Sequence, residues 1–291
     1  MAGEQGARWQ FLAEGLGMER LSDVVDIGAN PLDDPPYKPL LDAELCRVHG
    51  FEPQPQAFAE LQKIKTPLET YYQCAVGDGT ELSLNIYRES GLSSVFELDA
   101  ESFEFLGRAK RAAKLREKVT LKTHRLDDIE GITNIDLLKI DVQGAETMIF
   151  DAGKNKLKDA VAVVTELRFF PLYYGEKLQD SQIRRLADFG LMFHKLLFVK
   201  SKMIANSQSD RLRPRRLNTQ AIDGDAVFIK DLRKPDGVSD QQLAHLALLA
   251  DAVFESFDLS LRCIDLLAGR GRVSNSLASN YVDLLPPEVR R

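Results

Sequence analysis

The sequence has few cysteines and lacks any long apolar run. Its three cysteines, Cys46, Cys74 and Cys263, are far apart and show no paired spacing, which argues against a disulfide framework or a zinc site. No apolar run approaches the roughly 18 residues that a membrane-spanning helix needs. The first 21 residues contain three glutamates and no continuous apolar stretch, unlike a signal peptide. We therefore expect a protein of the reducing cytoplasm without a transmembrane segment.

Positive charge is also in deficit. The chain has 38 Lys and Arg against 44 Asp and Glu, with a formal net charge of -6, so no overall basic field attracts nucleic acid. Hydrophobic residues make up 44% and charged residues 28% of the 291 positions, which is typical of a globular protein with a large core.

Two local basic clusters depart from this balance. Such runs are usually solvated faces, and an anionic substrate or lipid carrier is the alternative that stays open. Nucleic acid is not expected, because no stacking aromatics are interleaved with the clusters. The clusters consist of Arg108, Lys110, Arg111, Lys114, Arg116 and Lys118, and of Arg211, Arg213, Arg215 and Arg216.

Apolar runs, helical spacing and turn residues predict alternating strands and helices. The loop over 31–39 is predicted from its four prolines. The predicted strands cover 24–28, 47–52, 70–76, 80–88, 119–126, 135–141, 160–166, 191–200 and 223–230. The predicted helices cover 4–18, 54–65, 99–116, a segment opening at Gly144, 179–188, a segment capped by Ser239 and Gln242, and 258–268.

This alternation predicts an α/β fold of the Rossmann-like, doubly wound kind. We expect a mostly parallel seven-stranded sheet with an extra β insertion and a helical C-terminal tail. The predicted divisions are an N-terminal helix over 1–21, a Rossmann-like domain over 22–232 and a helical extension over 233–291 that packs on it. The apolar stripe of the tail is typical of core packing, and a homodimer contact is the alternative.

Carboxylates stand at the carboxyl ends of five predicted strands: Asp26, Glu52, Asp78, Asp141 and Glu166. Charged residues also end strands merely because strand ends reach water. However, ligands of open α/β sheets bind at this edge, and an acidic residue about 20 positions beyond the glycines of the first turn binds ribose in dinucleotide sites.

Glu52 follows Gly28 at a similar spacing, which favours hydrogen bonds from both ribose hydroxyls of a nucleoside. Gly28 has no Cβ and lets the backbone approach such a ligand. Asp78 is a candidate acceptor for an adenine amino group, and Asp26 for the amino group or sulfonium of a cationic cofactor. An acidic pocket suits S-adenosylmethionine better than a pyrophosphate.

Six segments in this order resemble the FkbM-type methyltransferase family: 24–30 (VVDIGAN), 50–53 (GFEP), 75–78 (AVGD), 93–94 (SS), 126–129 (LDDI) and 137–146 (LLKIDVQGAE). The resemblance covers roughly residues 22–200, and the last segment is the most specific. It implies an S-adenosylmethionine-dependent O-methyltransferase that acts on a hydroxyl of a small molecule, such as a sugar or glycan precursor. The family usually has a second glycine soon after the Asn, and here a proline-rich loop follows Asn30 instead. A contact between this loop and the methionine end of the cofactor is therefore not carried over to this chain.

The predicted site residues follow from the strand ends and from this resemblance. The cofactor-binding set is Asp26, Gly28, Asn30, Glu52, Asp78 and Asp141. Asp141 and Glu166 are the candidate general bases, and His124 is a secondary candidate because a histidine pKa suits proton transfer. Ser93, Ser94, Lys139 and Tyr173 are candidate substrate residues, and no spacing suggests a metal site.

Two other functions stay open. A nicotinamide-dependent oxidoreductase would want a G-x-G-x-x-G turn, which is missing after the first strand. A non-catalytic binding module on the same fold would fit the altered first loop.

Overall fold

A computed structural model describes residues 2–31, 34–107 and 113–291. Its strands are β1 (Ser22–Ile27), β2 (Cys46–Phe51), β3 (Glu69–Tyr72), β4 (Ala75–Gly77), β5 (Glu81–Tyr87), β6 (Leu115–Arg125), β7 (Leu137–Ile140), β8 (Ala162–Arg168), β9 (Leu191–Leu196), β10 (Lys200–Lys202) and β11 (Gln220–Lys230). Its helices are α1 (Ala2–Gly15), α2 (Lys38–Asp42), α3 (Pro55–Ile64), α4 (Ala100–Phe105), α5 (Glu146–Ala152), α6 (Lys154–Leu157), α7 (Gln179–Asp188), α8 (Asp240–Ala252), α9 (Phe257–Gly269) and α10 (Leu277–Asp283).

The large sheet has the order β10-β11-β8-β7-β1-β2-β3, and β9 also pairs with β11. Strands β8, β7, β1, β2 and β3 are parallel, whereas β11 is antiparallel to β8. The predicted Rossmann-like α/β class is therefore confirmed, with eight strands in the described part of the chain instead of the predicted seven. The chain order switches between β1 and β7, where ligands of such sheets bind.

The central strands are apolar because helices cover both faces of the sheet. All six residues of β1 are buried. Val24 packs in a core with α1, α8 and α9, whereas Val25 and Ile27 pack in a second core with α5 and α7.

The N-terminal helix and the C-terminal helices form one layer on the same face of the sheet. Trp9 and Leu12 of α1 share a core with residues of α8 and α9. The predicted capping box of Ser239 and Gln242 is confirmed at the start of α8. The apolar stripe of α8 is buried in this core, and no described helix is long and apolar enough to cross a bilayer.

A second, three-stranded sheet has the order β4-β6-β5. The predicted strand over 70–76 is in fact two strands, since β3 ends in the large sheet and β4 pairs with β6. Strands β5 and β6 form a long antiparallel pair. This sheet is the predicted β insertion, and it stands over the carboxyl ends of the large sheet's strands.

The helix predicted over 99–116 is confirmed only over α4, and its predicted end is wrong because Leu115 and Arg116 belong to β6; residues 108–112 lie outside the described ranges. Asp99 caps α4 as expected, accepting hydrogen bonds from the N–H groups of Glu101 and Ser102. However, α4 ends at Phe105, and the chain from Leu115 onward is β6. Pairing with β5 decides this conformation, because strand formation depends on the neighbouring strand more than on local preference.

The first basic cluster therefore does not lie on one helix. Arg116 and Lys118 are exposed on β6, and the Lys118 Nζ lies 2.7 Å from Oε1 of Glu97. Arg108, Lys110 and Arg111 lie outside the described residues.

Candidate functional site

A cleft opens where β1, β2 and β7 end, and the small sheet forms its opposite wall. Gly28 and Asn30 line it after β1, Glu52 after β2 and Asp141 after β7. The structure thus brings together four of the six residues predicted to bind a cofactor. The cleft lies at the switch point of the sheet, which is the usual ligand position in this fold.

Gly28 cannot be replaced by a larger residue without moving the backbone. Its φ is +84°, and a Cβ at this position would lie 2.1 Å from the carbonyl oxygen of Asp141. Its N–H donates to the Phe51 carbonyl at 3.0 Å. The missing side chain therefore lets the ends of β1, β2 and β7 converge on the cleft.

Glu52 is a buried carboxylate at the edge of the cleft, with only 3% of its surface exposed. Its Oε1 accepts a hydrogen bond from the N–H of Gln54 at 2.7 Å. Burial raises the pKa of Glu52 to about 7, against the opposing effect of that hydrogen bond, and nearby Asp26 raises it further. Ligand hydroxyls that donate to this carboxylate would favour its ionised form.

Gln143 holds Asp141 from the turn that follows β7. The Gln143 backbone is left-handed, with φ 54°, and its Nε2 donates to Oδ1 of Asp141 at 2.7 Å. Its carbonyl oxygen accepts from the Ser94 hydroxyl at 2.6 Å. The Tyr173 hydroxyl donates to its Oε1 at 3.3 Å. Ser94 and Tyr173, both predicted to touch substrate, are buried contacts of this turn.

Glu146 closes the same turn from the first turn of α5. Its Oε1 accepts hydrogen bonds from the N–H groups of Val142 and Gly144, each at 3.2 Å. Burial raises the pKa of Glu146 to about 7, which the backbone hydrogen bonds oppose. Glu146 therefore acts as a structural acceptor that shapes the loop carrying Asp141.

Asp26 lies beside the cleft rather than in its lining. It accepts a hydrogen bond from the Tyr37 hydroxyl at 2.6 Å, and its Oδ1 lies 3.1 Å from the Nζ of Lys139. Asp26 and Tyr37 line a separate cavity under the proline-rich loop. Lys139 thus pairs with a carboxylate, and a further donation to the Gly28 carbonyl at 3.3 Å holds it against the end of β1.

Glu166 belongs to a buried ion cluster behind the cleft. Arg168, at 2% exposure, reaches the Glu166 Oε2 at 2.5 Å and the Asp223 Oδ2 at 2.8 Å, and its Nε lies 3.2 Å from Glu176. Burial raises the pKa of Glu166 well above its ordinary value. Glu166 is not among the described residues that line the cleft.

The remaining predicted residues take different positions. Ser93 lines the cleft. His124 is exposed on β6, while the neighbouring Thr123 is buried and faces the cleft. Asp78 is exposed and accepts from the N–H and hydroxyl of Thr80 at 2.9 and 2.7 Å; it lines a separate surface depression.

Several cleft residues are not predicted from the sequence. The small sheet, the loop after β5 and α5 supply an apolar wall, for which the sequence signals are the alternation of β5 and that of the strand predicted over 119–126. That wall consists of Val76, Leu82, Leu84, Val95, Leu121 and Met148. Within the described ranges, no group of three His, Cys, Asp or Glu residues could hold a metal ion. An apolar wall facing two carboxylates suits a ligand with a flat ring, hydroxyl groups and a positive charge.

Comparisons with known proteins agree with this geometry. The Methyltransferase FkbM domain matches residues 26–197. The 2-O-methyltransferase NoeI of Sinorhizobium fredii (strain NBRC 101917 / NGR234) is 26% identical over 167 residues. The match covers 53% of this chain and 66% of NoeI, just under two thirds of that relative.

Two solved methyltransferases also share similarity with this chain. The magnesium protoporphyrin IX methyltransferase ChlM of Synechocystis PCC 6803, solved with bound SAM, has a TM-score of 0.36 and 10% identity over 78% of this chain and 80% of that one. The precorrin-6y C5,15-methyltransferase of Geobacter metallireducens GS-15 has a TM-score of 0.34 and 13% identity over 76% and 87%. Neither similarity is strong enough to assign an activity.

The FkbM match carries the assignment, because it covers more than half of the chain and includes the end of β1 and the whole of β2, β7 and β8. The matched range contains Gly28, Glu52 and Asp141, the residues that converge on the cleft. A methyltransferase family supports S-adenosylmethionine as the cofactor. This chain belongs to the FkbM methyltransferase family.

Proposed function

We propose that this protein transfers a methyl group from S-adenosylmethionine to a hydroxyl of a small molecule, with a sugar or glycan precursor as the acceptor class. The observation that carries the proposal is the shared cleft in which Glu52 and Asp141 flank Gly28 at the switch point of the sheet. The name of the relative NoeI, a 2-O-methyltransferase, supports transfer to oxygen.

The residues of the cleft fit this cofactor. Glu52 offers carboxylate oxygens to the two ribose hydroxyls, and the apolar wall of the small sheet suits the adenine ring. Gly28 lets the ends of β1 and β7 meet at the cleft, since a Cβ there would strike the Asp141 carbonyl. Asp141 adds negative charge for the cationic end of the cofactor. When bound, S-adenosylmethionine supplies an activated methyl group on a positively charged sulfur.

Asp141 is our candidate for the group that accepts the proton of the acceptor hydroxyl. It lines the cleft, and Gln143 fixes one of its oxygens at 2.7 Å, which limits the rotation of the carboxylate. Fixed orientation of a base contributes to rate because little reorganisation remains during the reaction. Glu166 is held by Arg168, so we assign it a supporting electrostatic role.

The direct test is methyl transfer from labelled S-adenosylmethionine to a panel of sugars, followed by mass spectrometry of the products. We expect a product heavier by one methylene, with the label on oxygen. Label on nitrogen or carbon would contradict the proposal. Binding of S-adenosylhomocysteine without any transfer across the panel would favour the non-catalytic binding module, and binding of a nicotinamide cofactor alone would favour the oxidoreductase.

The role of Glu52 can be tested with Glu52→Gln and Glu52→Ala. Both should weaken S-adenosylhomocysteine binding by about 1–3 kcal/mol through loss of charged hydrogen bonds, measured by calorimetry. Glu52→Gln is the sharper variant, because its amide oxygen can still accept from Gln54. The control is Glu60→Gln on the solvent side of α3, where the side chain is 57% exposed. Unchanged affinity in both Glu52 variants would remove this residue from the site.

A further inference from the structure

The segment 198–217 forms a surface that combines positive charge with exposed apolar side chains. We call it the basic-apolar patch. Six cations and one carboxylate, Asp210, lie in it, so the patch has five net positive charges while the whole chain has a net charge of -6. Its cations are Lys200, Lys202, Arg211, Arg213, Arg215 and Arg216, and its exposed apolar residues are Phe198, Val199, Ile204, Leu212 and Leu217.

Most of the positive charge of the patch has no ion-pair partner among the described residues. In the described part of the chain, none of its four arginines has a carboxylate within ion-pair distance, and all four are exposed. The Arg211 guanidinium donates to the neutral Oε1 of Gln208, at 3.0 Å. The nearest acid to Lys200 is Asp223, at 3.8 Å. Unpaired surface cations of this density create a local field that attracts anions.

The apolar side chains of the patch are exposed among these cations. Phe198 is 51% exposed, Val199 45% and Leu217 38%. Apolar side chains beside Lys and Arg are typical of segments that lie on an anionic membrane, where burial in the interface and charge attraction act together. Only one aromatic residue lies in the patch, so the base stacking that single-stranded nucleic acids require is not provided.

The patch lies at the same edge of the sheet as the cleft. Strand β10 pairs with the beginning of β11, next to Asp223, and Asp223 binds Arg168 at the end of β8. The Ala205 N–H donates to the Phe105 carbonyl at 2.9 Å, and the Phe105 ring stacks on Phe170 at 5.5 Å. The patch is therefore continuous with the loop after β8 that leads to Tyr173.

We propose that the basic-apolar patch docks this protein on an anionic lipid bilayer, with the carboxyl edge of the sheet turned toward the membrane. The occupant is a bilayer surface and not a single phosphate, because the cations are spread over an open surface together with apolar side chains. This inference does not depend on the identity of the methyl acceptor, since it concerns a surface outside the cleft.

The test is co-sedimentation of the full chain with vesicles. Vesicles of equal parts phosphatidylcholine and phosphatidylglycerol should bind the protein at low salt at least ~10-fold more strongly than phosphatidylcholine alone, because each Lys or Arg near an anionic surface adds attraction. High salt should abolish the difference. Equal binding of the unaltered protein to both vesicle types, or no binding to either, would overturn the proposal.

Charge reversal assigns the binding to the patch. The variant Arg211→Glu, Arg213→Glu, Arg215→Glu and Arg216→Glu should lose at least ~10-fold in vesicle binding. A matched control reverses four exposed cations elsewhere: Lys65→Glu, Lys158→Glu, Arg184→Glu and Arg262→Glu. An equal loss in both variants would show that only net charge matters and would overturn the assignment. Inorganic phosphate or an oligonucleotide could also be added as a competitor for vesicle binding. If either displaces the protein from the vesicles more than its ionic strength explains, the ligand of the patch is a soluble phosphate or a nucleic acid and the proposal is overturned.

Discussion

The position of Asp141 depends on its near neighbour Gln143 and, through Gln143, on residues that are distant in the sequence. Gln143 binds its side chain, and the Gln143 turn is itself held by Ser94, Tyr173 and Glu146. The Ser94 contact comes from the β insertion, and the Tyr173 contact comes from the loop after β8. The carboxylate is therefore held in one orientation before any ligand binds, which is what an efficient proton acceptor requires.

Replacing Asp141 by Asn tests this role. Asn has nearly the same shape and its amide oxygen can still accept from Gln143, so the fold should be retained while the basic group is lost. We expect turnover with S-adenosylmethionine to fall about 10²–10⁴-fold, the range for general-base catalysis, with a much smaller loss of S-adenosylhomocysteine affinity. The control is Asp128→Asn, whose side chain is 68% exposed. Equal losses of turnover and affinity in Asp141→Asn would contradict a catalytic role.

Residues at strand ends were the predictable part of the site. Gly28, Glu52 and Asp141 directly follow predicted strands, so the strand pattern alone places them at one edge. Gln143 carries no such signal, because its role arises from the conformation of a turn. The pairing of Glu166 with Arg168 likewise depends on Asp223, which is 55 residues away from Arg168 and cannot be connected to it by local pattern.

At the level of elements, the buried strands were predictable over most of their length, whereas the small sheet was predicted only in part: its β insertion was expected, but the beginning of β6 was predicted as helix. Strands β1, β7 and β8 are apolar runs because both faces are covered. In β6, by contrast, most residues are exposed, and its conformation depends on pairing with β5. The helices α3, α7, α8 and α9 agree with their predicted ranges because their spacing and caps are local.

The helical layer contains a link that sequence patterns do not reveal. Asp251 of α8 is buried and accepts two hydrogen bonds from Arg8 of α1, each at 2.8 Å. It also accepts from the Trp9 indole at 2.7 Å and from the Tyr281 hydroxyl of α10 at 2.6 Å. One carboxylate thus joins the first helix of the chain to two helices near its end.

Asp251→Asn should therefore destabilise the protein strongly. The amide cannot accept all of these hydrogen bonds and leaves the buried Arg8 cation without its counter-charge, a change that typically costs about 3–5 kcal/mol. Urea denaturation at neutral pH would measure the loss. The matched control is Asp265→Asn on the exposed side of α9, which should change the free energy of unfolding by less than about 0.5 kcal/mol. Equal effects of the two substitutions would contradict the central role of Asp251.

At the scale of the whole molecule, the carboxyl edge of the sheet concentrates buried acids. Burial raises the pKa of Glu52 and Glu146 to about 7 and that of Asp225 to about 6. Each of these groups holds its proton to a higher pH in the folded state than in the unfolded chain. Their contribution to stability is therefore fully present below their ordinary pKa values and is lost as the pH rises through 6 to 7.

Other groups titrate in different directions. Burial lowers the pKa of His245 to about 4, so its contribution is present above the ordinary histidine pKa and is lost as the pH falls toward 4. As the pH falls, the buried acids therefore stabilise the folded state while His245 destabilises it. Substituting a single carboxylate separates the two effects. The His245 contribution is the same in the variant and in the unaltered protein, so it cancels when their free energies of unfolding are subtracted.

Glu146→Gln isolates one of the buried acids. The amide oxygen of Gln can accept from the N–H groups of Val142 and Gly144 as Glu146 does, and Gln resembles the protonated form of Glu. At pH about 5 the two proteins should be almost equally stable, whereas at pH about 8 the variant should be more stable by about 1–3 kcal/mol, since one unit of pKa shift corresponds to about 1.4 kcal/mol. Asp141 raises and Arg168 lowers the Glu146 pKa, and both stay in place in this variant.

Denaturation curves at the two pH values give the difference in the free energy of unfolding between Glu146→Gln and the unaltered protein. Glu117→Gln on the exposed face of β6 is the control. A difference that is the same at both pH values would mean that Glu146 is ionised throughout, and the acidic edge of the sheet would then carry its negative charge even without a cationic ligand.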